Sequence, residues 1–159
     1  EIHERLVGSE MCIRDRAYRA YYQAHNCIRT RPYEGIPELL AALRRAGVRT
    51  AVVSNKPDET TRTLAARFFP ELDGALGQRD GVAAKPAPDM VQAVLSRLGA
   101  EPGRALYVGD SEVDVATARN AGLPLIAVSW GFRGREKLEI AGAEHIADTA
   151  PQLLKMLCK

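Results

Sequence analysis

Apolar and polar residues follow two periods along most of this chain, one helical and one typical of buried strands. Apolar residues three and four positions apart predict helices that begin near Ile36, Asp58 and Pro88, and helices over 112–121 and 150–157. Short apolar runs between them predict strands at 49–54, 75–77, 105–108, 124–128 and 145–147. Helices that alternate with short buried strands are typical of a parallel sheet with helices on its faces. The pattern therefore predicts an α/β fold.

The first 34 residues depart from this pattern. Aromatic residues at helical spacing predict a helix over 17–28, and Thr30–Tyr33, which contains Pro32, indicates a hinge. Residues 7–16 resemble the translation of a sequencing-library adapter. We therefore divide the chain into an artefactual segment at 1–16, a helix and hinge at 17–34, and an α/β core at 35–159.

Composition excludes several classes of function. The net charge of +2 is small and the arginines are scattered, so no basic stripe for nucleic acid is visible. No apolar run approaches the roughly 18 residues of a membrane span. Cys12, Cys27 and Cys158 lack C-x-x-C spacing and favour a reducing compartment. We expect a cytoplasmic protein that binds neither nucleic acid nor a membrane; its oligomeric state stays open.

Two carboxylates follow the strand predicted at 105–108. Asp110 lies at the carboxyl end of that strand, where ligands bind in open α/β sheets. Asp114 lies one helical turn further on. Carboxylates so placed can hold Mg²⁺, which prefers oxygen ligands. Ser111 and Asp114 also fit a helix N-terminal capping box, so a purely structural interpretation stands beside this one.

Two further segments can bind phosphate. Ser54, Asn55 and Lys56 follow a predicted strand, where a hydroxyl and successive backbone amides can surround phosphoryl oxygens, although a turn or helix cap is the ordinary role of such residues. Lys85 precedes Pro86 and a predicted helix start, so its backbone is restricted to extended geometry. A lysine fixed there can neutralise phosphate, whereas a solvated lysine is the usual alternative.

The order of these segments resembles motifs two, three and four of the haloacid dehalogenase superfamily. Ser54 precedes Lys85 by 31 positions, and Lys85 precedes Asp110 by 25. Three further stretches resemble phosphoglycolate phosphatases and their close relatives, namely Arg31-Pro32-Tyr33-x-Gly35-Ile36, Ser54-Asn55-Lys56-Pro57 and Val108-Gly109-Asp110-Ser111. The resemblance extends from about Tyr18 to Lys159.

The resemblance implies a Rossmann-like parallel sheet with flanking helices and an α-helical cap, of which residues 17–34 would be a remnant with its hinge. Ser54 and Asn55 would bind the phosphoryl group, and Lys85 would neutralise charge, which makes Ser54 and Lys85 the catalytic candidates. Asp110 would ligate Mg²⁺, supported by Asp114 directly, through water or through Lys85. The implied activity is Mg²⁺-dependent hydrolysis of small phosphorylated metabolites, phosphomonoesters such as phosphoglycolate, through an aspartyl-phosphate.

One part of the family pattern is missing. The sequence contains no Asp-x-Asp-Gly-Thr stretch, which in the family carries the nucleophile on the first, central strand. Asp15 and Asp58 lack its flanking residues, so neither inherits the role. We expect an N-terminally truncated, inactive chain whose two interior strand edges lack a partner. A related pyrophosphatase, a sugar phosphomutase and a non-catalytic phosphate-binding homologue remain alternatives.

Overall fold

The computed structural model describes Tyr21 and residues 30–158. The predicted artefactual segment at 1–16 and nearly all of the predicted helix at 17–28 lie outside the described residues. The division of the chain at residues 16 and 34 therefore stays a prediction.

Helices and strands alternate through residues 30–158. The helices are α1 (Ile36–Arg45), α2 (Asp58–Phe68), α3 (Asp89–Leu98), α4 (Glu112–Ala121), α5 (Arg135–Ile140) and α6 (Ala150–Leu157), with a 3₁₀ turn at Pro102–Arg104. The strands are β1 (Ala51–Pro57), β2 (Gly74–Gln78), β3 (Tyr107–Gly109), β4 (Leu125–Val128) and β5 (Ile146–Ala147). No helix in this part of the chain is both long and apolar enough to cross a membrane.

The strands form two parallel sheets. β1 pairs with β2, with Ala51 opposite Gly74. β4 pairs with β3 on one side and with β5 on the other. The parallel pairing confirms the predicted α/β class. Within residues 30–158, β1 and β3 are not paired with each other, and Val108 on β3 is 41% exposed although it is apolar. We call the region between β1 and β3 the seam.

Two apolar clusters pack the helices against the strands. One joins α1 and α6 to β4 and β5, through Leu39, Leu43, Ile126, Val128, Ala147, Ala150 and Leu153. The other joins α3 and α4 to β3, through Val91, Tyr107, Ala118 and Leu123, and Val53 of β1 packs against it. Burial of these side chains supplies the main driving force for folding. The second cluster also connects the two sheets, since Val53 belongs to the first sheet and Tyr107 to the second.

Local signals account for several helix boundaries. α4 begins after Ser111, whose hydroxyl accepts a hydrogen bond from the Asp114 amide. It ends at Gly122, whose φ of 68° is a left-handed conformation that glycine adopts without strain. The predicted bounds of α4 and α6 are confirmed. α5 was not predicted, because a six-residue helix with Leu138 as its buried side chain is too short to show a period. Cys158 has a free thiol and is exposed.

Candidate active site

The predicted phosphate-binding residues lie in an irregular part of β1. Val53 pairs with Leu76 and Pro57 with Gln78, so four positions on β1 correspond to two on β2. Ser54–Lys56 occupy this interruption, which releases backbone amides from regular pairing. The Ser54 hydroxyl accepts a hydrogen bond of 3.1 Å from the Lys56 amide. The segment is therefore an irregular stretch of β1 that lies toward the carboxyl end of the strand.

Asn55 fixes the backbone of Lys85. The Asn55 side chain accepts a hydrogen bond from the Lys85 amide at 2.8 Å and donates one to the Lys85 carbonyl at 3.0 Å. On the other side, the Asn120 side chain donates to the carbonyl of Pro86 at 2.8 Å. The Lys85–Pro86 segment is thus held from β1 and from α4 together. In the described structure Asn55 serves as a backbone brace, and its contact with phosphate stays a prediction.

Lys85 and Asp114 form a buried ion pair. The Lys85 Nζ lies 2.8 Å from Asp114 Oδ1, and the two side chains are 14% and 7% exposed. Tyr107 completes this group, because its hydroxyl donates to the same Oδ1 at 3.1 Å and lies 3.5 Å from the Lys85 Nζ. The structure therefore brings together two of the predicted site residues and adds a third.

Asp114 accepts hydrogen bonds on both of its oxygens. Oδ1 receives Lys85 and Tyr107, whereas Oδ2 receives the Ser111 hydroxyl at 2.6 Å and the Asp110 amide at 3.2 Å. Burial by itself raises the pKa of Asp114, but the Lys85 ammonium and these hydrogen bonds outweigh it and hold that pKa below its ordinary value. Asp114 is thus an anion whose acceptor capacity is spent within the protein.

The same group of residues raises the pKa of Tyr107, whereas it lowers that of Asp114. Burial of the phenol, followed by the negative charge and hydrogen bond of Asp114, raises the pKa of Tyr107 far above its ordinary value. A phenol that stays protonated remains a hydrogen-bond donor. Tyr107 therefore remains a hydrogen-bond donor to Asp114 above the pH at which an ordinary phenol ionises.

Asp110 directly follows β3, and its two carboxylate oxygens have different surroundings within residues 30–158. Its Oδ2 accepts the Phe132 amide at 2.9 Å. Its Oδ1 accepts no hydrogen bond from residues 30–158. Neighbouring glycines allow this close packing, since a Cβ at Gly131 would overlap Asp110 and a Cβ at Gly109 would overlap Asp114. Asp110 thus differs from Asp114 in having an oxygen available to a ligand.

The predicted site residues are brought together to different degrees. Asn55, Lys85, Asp114 and Asp110 form a continuous chain of hydrogen bonds across the carboxyl ends of β1 and β3. Ser54 joins it only through its neighbour Asn55, because its side chain bonds the Lys56 amide.

Asp58, one of the two residues that were rejected as substitutes for the nucleophile, has structural partners. Asp58 accepts the Gly77 amide at 2.8 Å and pairs with Arg62 at 2.9 Å, so both of its oxygens are engaged away from the site. Asp15 lies outside the described residues.

The donor set fits part of a magnesium site. In residues 30–158, no three His, Cys, Asp or Glu side chains come close enough to hold a metal ion together. Mg²⁺ in phosphoryl-transfer sites takes one or two carboxylates and completes its shell with water and phosphate oxygens. The free oxygen of Asp110 suits such a shell. The filled oxygens of Asp114 fit a supporting role, through Lys85, better than direct ligation.

Sequence reasoning missed Tyr107 and the backbone contact of Phe132 with Asp110. Tyr107 lies within an apolar strand, so nothing in its surroundings separates it from a core residue. The Phe132 contact uses a backbone amide, which no side-chain pattern can reveal. Arg133 pairs with Glu112 at 2.8 Å and stacks on the Phe132 ring at 5.1 Å.

The chain is similar to known phosphatases. The N-acetylmuramic acid 6-phosphate phosphatase of Pseudomonas aeruginosa is 37% identical over 139 residues, which are 86% of this chain and 62% of that protein. The phosphoglycolate phosphatase of Rhodospirillum rubrum is 39% identical over 123 residues, 73% of this chain and 48% of that protein. The chain thus spans about half to two thirds of the length of these relatives.

A solved structure and a family model extend the comparison. A crystal structure from Lactobacillus delbrueckii subsp. bulgaricus, of a protein proposed to be a phosphoglycolate phosphatase, superposes with a TM-score of 0.85 at 44% identity. The match covers 87% of this chain and 59% of that one. The sequence model of haloacid dehalogenase-like hydrolases matches residues 5–122. The predicted family is therefore confirmed: the chain belongs to the haloacid dehalogenase-like hydrolases.

Proposed function

We propose that this chain carries the phosphate- and magnesium-binding part of a phosphatase that acts on small phosphomonoesters. The observation that carries the proposal is the buried Lys85–Asp114 pair beside Asp110, at the carboxyl ends of two parallel strands. The phosphatase activity of the two curated relatives supports the same reaction class.

The proposed roles follow from the hydrogen bonds of each side chain. The largely buried ammonium of Lys85, held by Asp114, would offer its remaining N–H groups to phosphoryl oxygens. Ser54 would donate its hydroxyl to the same phosphoryl group, and Asn55 would contribute chiefly by bracing Lys85. Fixed donors of this kind stabilise the charge that develops during phosphoryl transfer.

Magnesium is the cofactor that this proposal requires. Asp110 would hold it through its free oxygen, while Asp114 orients Lys85 and the Asp110 amide. When bound, the cation would neutralise negative charge on the phosphoryl oxygens so that an anionic nucleophile can approach. We propose that the nucleophilic and acid–base aspartates come from a segment that this sequence does not contain, so that the 159-residue chain is inactive alone.

The named activities of the relatives suggest two substrates. Phosphoglycolate is the first candidate, because the motif stretches of this chain resemble phosphoglycolate phosphatases and one such enzyme is 39% identical. A sugar-acid 6-phosphate is the second, because the Pseudomonas relative matches a larger share of the chain. Pyrophosphate hydrolysis, phosphomutase activity and non-catalytic phosphate binding remain alternatives. We further propose a cytoplasmic location and a small phosphorylated metabolite as partner, rather than nucleic acid or a membrane.

A chimera tests the proposal. Residues 17–159 would be joined to the part of the Rhodospirillum relative that precedes its matched region. We expect Mg²⁺-dependent release of phosphate from phosphoglycolate or N-acetylmuramic acid 6-phosphate. Lys85→Met and Asp110→Asn should each lower kcat/KM by about 100-fold or more, because each removes a charge that stabilises the transition state.

A lysine away from the site provides the control for this experiment. Lys137→Met, on the exposed side of α5, removes a lysine of the same size away from the site and should leave the rate unchanged. A folded chimera that releases no phosphate from either substrate, or hydrolysis by the 159-residue chain alone, would overturn the proposal.

A further inference from the structure

One carboxylate holds both ends of the loop that follows β4. Asp148 Oδ1 accepts the Ser129 hydroxyl at 2.6 Å and the Arg135 Nε at 3.1 Å, and its Oδ2 accepts the Arg135 Nη2 at 2.7 Å. The contact with Arg135 is bidentate, which fixes the orientation of both groups. The segment from Ser129 to Arg135, the 129–135 loop, is thus closed by a residue that lies just after β5.

The middle of the 129–135 loop lies directly on Asp110. The Phe132 amide donates to Asp110 Oδ2 at 2.9 Å. A Cβ at Gly131 would overlap the Asp110 side chain, and no left-handed φ requires glycine there. Glycine at this position is therefore explained by the closeness of Asp110. Arg133 fastens the same stretch to α4 through Glu112 at 2.8 Å.

These contacts decide which oxygen of Asp110 is available. The loop occupies Oδ2, whereas Oδ1 has no partner in the described part of the chain. A carboxylate that is fixed through one oxygen presents the other in a defined direction, and such supporting hydrogen bonds tune metal affinity.

We propose that Asp148 and Gly131 are positioning residues, which act through the 129–135 loop to fix the carboxylate of Asp110 for its cation. Asp148 closes the loop, and Gly131 lets the loop backbone approach. This inference rests on the proposed function only in taking Mg²⁺ as the ligand of Asp110. The arrangement of the loop is independent of it.

The test uses Asp148→Ala and Gly131→Ala in the 159-residue chain. Amide hydrogen exchange, followed by NMR without metal, reports the Phe132 hydrogen bond, and titration with Mg²⁺ followed at the Asp110 amide gives the Kd. We expect Phe132 exchange to accelerate about 10-fold or more, and the Kd for Mg²⁺ to rise about 10-fold, in both variants. The indole signal of Trp130, the one tryptophan in the sequence, checks that each variant is folded.

Two controls separate loop effects from general destabilisation. Gly103→Ala makes the same change in the 3₁₀ turn, where a Cβ meets no atom within 4 Å. Glu139→Gln weakens the other ion pair of Arg135 and leaves the contacts of Asp148 in place. Both should match the wild type in exchange and in Kd.

Failure of the inference and failure of the proposed function give different results. Folded Asp148→Ala and Gly131→Ala variants with Phe132 exchange and Kd within twofold of wild type would overturn the inference. The assignment of magnesium would be overturned instead if the wild type showed no saturable Mg²⁺ binding, or if Asp110→Asn did not abolish that binding. In that case unchanged exchange at Phe132 would overturn the loop arrangement, and accelerated exchange would uphold it.

Discussion

Removal of either partner of the Lys85–Asp114 pair should destabilise the fold by unequal amounts. At 2.8 Å the attraction between the two charges is about 6 kcal/mol at an effective dielectric constant of about 20, and desolvation of both groups offsets much of it. The loss of folding free energy in each variant therefore depends on which hydrogen-bond partners remain for the charged side chain that is left. In Lys85→Met, Asp114 keeps donors from Tyr107, Ser111 and the Asp110 amide.

In Asp114→Asn, Lys85 loses the opposite charge and keeps only neutral side-chain oxygens within residues 30–158, namely the Asn carbonyl and the Tyr107 hydroxyl at 3.5 Å. A buried charge without its partner costs about 3–5 kcal/mol. We therefore expect Asp114→Asn to lower the free energy of unfolding by about 4 kcal/mol, and Lys85→Met by about 2 kcal/mol, because three hydrogen bonds still solvate the carboxylate.

Urea unfolding without metal, followed by circular dichroism, would measure both values together with the double variant. The double-mutant cycle should give a coupling of about 1 kcal/mol or more. Arg62→Met is a suitable control, since its exposed ion pair with Asp58 should contribute less than about 1 kcal/mol. A cost for Lys85→Met that equals or exceeds that of Asp114→Asn would refute the reasoning about residual donors.

Two further predictions concern Tyr107 and the seam. The raised pKa of Tyr107 means that above about pH 10 the unfolded chain releases a proton that the folded chain keeps, so stability falls as pH rises. Tyr107→Phe should flatten this dependence in thermal unfolding between pH 9 and about pH 11, and equal slopes would contradict the prediction. Val108→Lys should reduce self-association in sedimentation velocity, because a charge on an open strand edge blocks pairing. Val48→Lys, at a 48% exposed position outside any strand, is its control, and an equal effect of both would count against the seam.

The sequence predicted the elements whose signals are local. The capping serine at 111 and the glycine at 122 bound α4, and both ends were predicted correctly. β1 extends to Pro57 instead of ending at Ser54, because its pairing with β2 resumes beyond an irregularity that depends on a distant strand. In the same way, β3 begins at Tyr107, two residues later than predicted, because its start depends on pairing with Leu125.

The candidate site was predicted in composition and only partly in arrangement. Lys85, Asp110 and Asp114 were recognised from their order and spacing, and the structure connects them. The different hydrogen bonding of the two aspartates could not be predicted, because it depends on the backbone amide of Phe132 and on the buried hydroxyl of Tyr107. Neither contact can be predicted from the pattern of side chains in the sequence.

The Asn55–Lys85–Asp114 connection has a consequence for how this protein can vary. These hydrogen bonds run from the first sheet to the helix that packs on the second, so the groups proposed to receive phosphate also tie two halves of the fold together. A substitution at Lys85 should therefore weaken the connection between the two sheets as well as the proposed binding of phosphate. We therefore expect a relative that has lost the proposed activity to retain this lysine for its structural contact with Asp114.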